Sequence, residues 1–177
     1  MKTISIKKLE TIGGIFIFLF GSLDHSLYVL TKFLPIAFIS PVNESPWEHL
    51  KIFLFPMLIF MIIEWFFVKN KKTLVIAKTV ESLIAMLFII TFFYTYTGAL
   101  GIENVWIDIA SFGLAVVIGQ YISYLFLTSK IKRHGYLWLH ITVLALVVLM
   151  FWVTTFIPPH IPLFYSKPSN SYGIELH

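Results

Sequence analysis

Glutamate and histidine recur within a few positions of one another in Asn43-Glu44-Ser45-Pro46-Trp47-Glu48-His49, between two strongly apolar stretches. Ionisable side chains beside a membrane span are costly to place, so they mark a candidate site. Carboxylate and imidazole are also the donor set of a zinc centre. Such a centre takes three or four N and O ligands and keeps one position open when it is catalytic. His25, His49 and His160 are the candidate ligands, and Glu48 is the candidate general base. Asn43, Glu44, Tyr28, Tyr94 and Asp108 are candidates for further ligands or for groups that support them. Successive residues of a helix point about 100° apart, so Glu48 and His49 cannot both face one ion. Two other readings use the same residues. In one, a hydrogen-bonded cluster pins the loops to the helices, His160 caps a helix end, and Glu48 answers backbone N–H groups. In the other, the charges hold a cation, a proton or a small ligand without turnover.

The elements that must position these residues are apolar helices. The 177 residues are 58% apolar and 12% charged, against about 25% charged in a soluble domain, and the mean hydropathy is +0.87. A helix needs about 20 apolar residues to cross the hydrocarbon. Residues 9–33, 46–68, 73–96, 105–128 and 136–157 qualify, followed by a tail at 158–177. The expected fold is therefore all-α: one integral membrane bundle of five transmembrane helices, forming a single domain over 1–177. Ser45-Pro46 reads as a helix cap followed by a first-turn proline. Pro56 should kink its helix, Gly98 and Gly101 should mark a turn, and Pro158-Pro159 should stop the last helix.

Basic residues orient the bundle. Lys2, Lys7 and Lys8, then Lys69, Lys71 and Lys72, then Lys130, Lys132 and Arg133 fall on one side. The connections 34–45 and 97–104 contain no Lys or Arg. The positive-inside rule then puts the amino terminus inside and the carboxyl terminus outside. No small-x-small cleavage site follows the first apolar run, so a retained helix is expected. The bias to Phe, Ile, Lys, Tyr and Asn is that of an AT-rich bacterial genome, so the expected location is a bacterial cytoplasmic membrane. This topology brings Asp24, His25, Asn43, Glu44, Glu48, His49, Tyr94, Tyr96, Asp108 and His160 to the outer face. The 40–45 loop and the 158–164 segment are expected to pack together there, both stiffened by proline.

The inner half offers less. Lys78 and Glu81 lie three apart and can pair, with snorkelling to the inner interface or a proton relay as the alternatives. Glu64 is expected to be solvated, and His140 to hydrogen-bond a neighbouring helix. Asp108, Ser111, Ala115, Gly119 and Ser123 form a small-residue seam at helical spacing, or a polar track leading past Gln120. The net charge of +4 is confined to loops, so nucleic acid is not an expected partner, and the absence of cysteine excludes thiol chemistry. Without an internal repeat, an inverted-repeat transporter is disfavoured. No phosphate loop or nucleophile elbow occurs.

The strings SPVNESPWEHLK (40–51), FYTYTG (93–98) and PPHIPLF (158–164) resemble a family of small bacterial membrane proteins catalogued only as a domain of unknown function. Gly21-Ser22, His25, Tyr28 and Asp108-Ile109 fit its pattern too. The resemblance implies the five-helix architecture and no established activity. The family has an apolar residue where Asp24 stands, which implies a peripheral Asp24. Its tail carries an Asp-Pro pair where this chain reads Tyr165-Ser166-Lys167-Pro168. Asn43-Glu44-Ser45 and Trp47-Glu48-His49-Leu50 also look like the stretch before the first helix in the progestin/adiponectin-receptor and alkaline-ceramidase superfamily of intramembrane zinc hydrolases. Those proteins have seven helices and a late His-x-x-x-His pair, and this chain has neither. The expected function is a zinc-assisted hydrolase of a lipid or lipid-linked substrate. The alternatives are a cation or small-ligand binding or transport protein and a structural subunit. The expected partners are the bilayer, a lipid or small-molecule ligand, and a second copy of the chain.

Overall fold

The computed structural model describes residues 4–129 and 136–174. It contains five helical segments long and apolar enough to cross a membrane: Ile6–Thr31, Pro46–Phe67, Lys71–Leu100, Val105–Thr128 and Leu137–Phe156. The first is α1 (Ile6–Asp24) and α2 (Leu27–Thr31), separated by a break at His25-Ser26. The second is α3 (Pro46–His49) and α4 (Lys51–Phe67), joined by a tightened turn at Leu50. Then come α5 (Lys71–Leu100), α6 (Val105–Thr128) and α7 (Leu137–Phe156). Of the basic residues used for orientation, Lys2, Lys130, Lys132 and Arg133 lie outside the described residues.

Local chemistry sets the ends. Ser45 Oγ accepts the Glu48 N–H at 3.3 Å, and Pro46 opens α3. Asn70 and Asn104 cap α5 and α6 through their side-chain oxygens. Gly98 lies inside α5, and the helix ends at Gly101, whose φ of +67° suits glycine. Only the second of the two expected turn glycines therefore makes the turn.

The helices α1, α4, α5 and α6 pack in a ring, and α7 leans on α5. Ile17, Phe53, Leu54, Met57, Ala85, Ala115 and Phe151 fill the interior. Leu23, Leu30, Phe66, Trp106 and Ile157 point outward and are more than 70% exposed, the pattern of a lipid-facing surface. Lipid tails are as apolar as leucine, so close packing and polar contacts must hold such helices together. Helix α4 runs on through Pro56 without a break. Proline has no N–H to donate to the carbonyl four residues back, that of Ile52. Gly21 of α1 lies against this carbonyl, close enough that a Cβ would fall 2.2 Å from its oxygen. The seam on α6 is real: Ser111, Ala115, Gly119 and Ser123 are all buried.

One end of the bundle, the histidine end, is closed by the 34–45 connection and the chain after α7. Asn43 Nδ2 donates to Gly173 O at 2.9 Å, and Glu44 N donates to Ser166 Oγ at 3.3 Å. The Trp47 ring stacks between Phe151 and Phe164 while its indole N–H reaches Thr154 Oγ1 at 2.8 Å. After the turn Pro162–Phe164, a two-stranded hairpin pairs Tyr165 with Tyr172. Lys167 pairs with Glu103, tying this hairpin to the α5–α6 connection.

Candidate metal centre

Three ligand atoms meet at the histidine end. His25 sits at the break between α1 and α2, Glu44 in the loop before α3, and His49 at the last position of α3. The two Nε2 atoms are 2.9 Å apart. Glu44 Oε2 lies 3.1 Å from His49 Nε2 and 3.5 Å from His25 Nε2. Zinc bonds of 2.0–2.1 Å in a tetrahedron place ligand atoms about 3.3 Å apart. The three observed separations bracket that edge.

The second nitrogen of His49 explains its readiness. His49 Nδ1 lies 2.9 Å from Ser45 O. A carbonyl only accepts, so Nδ1 carries the proton and Nε2 presents its lone pair. In the neutral pair His25 Nε2 then donates to His49 Nε2. The side chains of His25, Glu44 and His49 are 35%, 44% and 28% exposed, which leaves room for a fourth ligand. When their Nε2 atoms carry protons, His25 and then His49 donate to Glu44 and hold its carboxyl well below the ordinary carboxylate range, against a smaller opposing effect of burial. It therefore remains an anion at any working pH. Among the described residues, His25, Glu44 and His49 can hold an ion together.

The other expected site residues are distributed differently. Glu48 faces away from the histidines. Its Oε2 is 2.7 Å from Lys51 Nζ and accepts the Val42 N–H at 3.1 Å, and its Oε1 lies 3.1 Å from Thr155 Oγ1. Lys51 Nζ also donates to Ala37 O at 2.8 Å and Thr155 Oγ1 at 2.7 Å. Glu48, expected as the general base, is thus engaged in a buried latch between α3, α4, α7 and the 37–42 chain and does not face the histidines. The helical rotation between positions 48 and 49 is the cause. His160 is exposed and lies tilted against Tyr172 with ring centres 4.6 Å apart, because the chain after Pro158-Pro159 turns toward the hairpin. It does not join the cluster.

Asn43 ties the loop to Gly173 and accepts the Ser45 N–H. Tyr28 is buried with Ala37 and Val42, away from the ligands. Tyr94 is 40% exposed and packs on Phe93. Asp108 accepts the Tyr96 hydroxyl at 2.6 Å and is not among the three converging ligand residues. Asp24 is not peripheral: it is 2% exposed and accepts the Ser40 hydroxyl. Sequence reasoning passed over Lys51. The signal was present in its spacing of three from Glu48, which puts both on one helix face.

No curated protein and no solved structure matches the chain. The match is instead to a family model: over residues 1–174, covering the five spans and the loop that supplies Glu44 and His49, the chain belongs to a family of unknown function (DUF6512).

Proposed function

We propose that the protein is a membrane-embedded, metal-dependent hydrolase of a lipid or lipid-linked substrate, with His25, His49 and Glu44 as the ligands of a zinc-type ion. One observation carries this reading: three ligand atoms from three separate segments converge within 3.5 Å of one another. Their partial exposure leaves a position for water or substrate. Bound zinc would supply a water acidified to about neutral pH. Asp108, at the start of α6 and held by Tyr96, is the carboxylate left to take its proton, since Glu48 is engaged by Lys51. The accompanying topology has the histidine end outside, with Lys7, Lys8, Lys69, Lys71 and Lys72 at the opposite, inner end.

A second reading, a cation-binding or transport protein without turnover, is favoured by buried charge at both ends of the bundle. Lys51 and Lys78 are each fully buried among carboxylates. Elemental analysis of the purified protein tests the common premise. Wild type should carry about one zinc-type ion per chain. His25→Ala and His49→Ala should lose it, and His160→Ala should keep it. Asp108→Asn should keep the metal and abolish lipid hydrolysis, because an amide cannot accept the proton. Folded wild-type protein that takes up no metal from added zinc would refute both readings of the cluster.

The pH dependence has a definite sign. Metal needs both imidazole lone pairs, and Glu44 is already ionised, so only histidine protonation competes. Imidazole binds metal only in its neutral form, so zinc affinity should fall as the pH is lowered. Zinc titration with a competing chelator across a pH series checks this. An affinity that does not change with pH would mean that the histidines are not the ligands.

A further inference from the structure

We propose that Glu10, Glu64 and Glu81, arranged around Lys78, form a proton-binding site that holds two exchangeable protons in the half of the bundle opposite the histidines. Lys78 Nζ lies 3.2 Å from Glu10 Oε2, 2.9 Å from Glu64 Oε2 and 2.8 Å from Glu81 Oε2. Four elements of the chain thus converge there: α1 gives Glu10, α4 gives Glu64, α5 gives Lys78 and Glu81, and α6 gives Ser123, whose hydroxyl donates to Glu10 Oε1 at 2.9 Å. Lys78, Glu64 and Glu81 are fully buried, and Glu10 is 3% exposed. Glu64 was expected to be solvated, and the Lys78–Glu81 pair either to snorkel to the interface or to relay protons. The neighbouring helices prevent solvation and snorkelling.

Charge balance decides what such a site holds. Three ionised carboxylates around one ammonium leave two negative charges in excess. Excess charge cannot persist in a medium of low dielectric; the groups take up protons or a counter-ion instead. Lys78 already occupies the centre where a metal cation would sit, which leaves protons as the compensating charge. A second observation points the same way. Glu64 Oε1 has no hydrogen-bond partner among the described residues, so an oxygen is free to carry a proton. The amide of Gln120 is also buried, 6% exposed, and without a partner at either atom. Gln120 lies against Gly13 beside Phe60, and its neighbour Gly119 lies against the Glu81 Cγ. Each of Gly13, Phe60 and Gln120 is one helical turn from Glu10, Glu64 and Ser123 respectively. The unpartnered amide therefore lies one layer above the carboxylates, placed to exchange hydrogen bonds with them.

The surroundings seal the site. Leu9, Val68 and Leu74 close it toward the lysine-rich end. The described helix α7 approaches through His140, whose carbonyl is 3.5 Å from Thr79 Oγ1. His140 is thus the titratable group on that helix, and α6 contributes Ser123 and Gln120 without charge. Protons held here can leave only when the helices part, which makes the cluster a switch between a neutral, closed bundle and a charged, hydrated one.

Infrared difference spectroscopy of the full chain in lipid nanodiscs tests the site through the C=O stretch of protonated carboxyl groups. Wild type at neutral pH should show a band that shifts in D2O and declines as pH rises. Glu64→Gln or Glu81→Gln removes one negative charge and one proton, so the band should fall by about half. The double variant Glu64→Gln/Glu81→Gln leaves Glu10 with Lys78, and the band should vanish. Glu48→Gln, in the other half of the bundle, should leave it unchanged. Lys78→Gln should raise it by about half where that variant folds. A wild-type protein without the band would overturn the proposal, and so would a stoichiometric sodium or potassium ion with all three carboxylates ionised. None of these readouts depends on metal at the histidine end.

Discussion

Replacing Lys51 by Met should destabilise the protein by about 3–5 kcal/mol, the cost of leaving a buried charge without its partner. Lys51 is fully buried and Glu48 is 2% exposed, so water cannot take over the solvation of the abandoned carboxylate. Asp24 lies in the same neighbourhood, held by Ser40, and loses the attraction of the same ammonium. The lysine also donates to the carbonyls of Ala37 and Ser40, so the 37–42 chain loses its anchor with it. Adding Glu48→Gln to Lys51→Met removes the orphaned charge, and the double variant should recover most of the loss. A deficit of about 1–3 kcal/mol should remain, for hydrogen bonds still unmade. Chemical unfolding in detergent, with helicity as the readout, measures both. Equal stability of wild type and Lys51→Met would mean that the latch is ornamental. A double variant weaker than the single would mean that the bonds Glu48 accepts from Val42 and Thr155 outweigh its pairing with the lysine.

The helices themselves were legible because lipid makes a simple demand: about 20 apolar residues in a row. The span 105–128 agrees with α6 at both ends. Other boundaries moved where a local residue was overruled. Gly98 reads as a turn residue, yet a side chain there would meet none of the other described residues within 4 Å, and the helix passes through it. The breaks at His25-Ser26 and Leu50 have no strong signature, and they set the direction of both histidines. Topology correctly sent His25, Glu44 and His49 to one end. It could not say which of Glu44 and Glu48 would face the histidines, since that depends on the rotation of α3 fixed by Trp47 between Phe151 and Phe164. Glu10 was overlooked for a related reason. Beside Lys7 and Lys8 it reads as a solvated end residue, and only the register of α1 against α5 and α6 buries it against Lys78 and Ser123.

Gly21→Ala should cost more than the same change at any other glycine of the five spans, because only there would the added Cβ meet the backbone of another helix rather than a movable side chain. That atom would fall 2.2 Å from the Ile52 carbonyl oxygen and 2.9 Å from the Phe112 ring. Helix α4 cannot yield easily, since Phe53 and Leu54 beside Ile52 are fully buried. Relief must come by moving α1 outward, and His25 is one turn further along, its N–H bonded to Gly21 O at 3.0 Å. Overpacking typically costs 1–3 kcal/mol, and a backbone clash should put this one at about 3 kcal/mol or above. The displaced His25 should also leave His49, so metal occupancy should fall along with stability. Gly98→Ala is the matched control: its surroundings are open, and alanine should stabilise the helix there by up to about 1 kcal/mol. Thermal unfolding and zinc content of the two variants, measured side by side, separate the effects. If Gly21→Ala behaves like Gly98→Ala, the contact of α1 with the Ile52 carbonyl does not set the spacing of the histidines. A loss of stability with metal retained would show that His25 and His49 keep their distance through Glu44 alone.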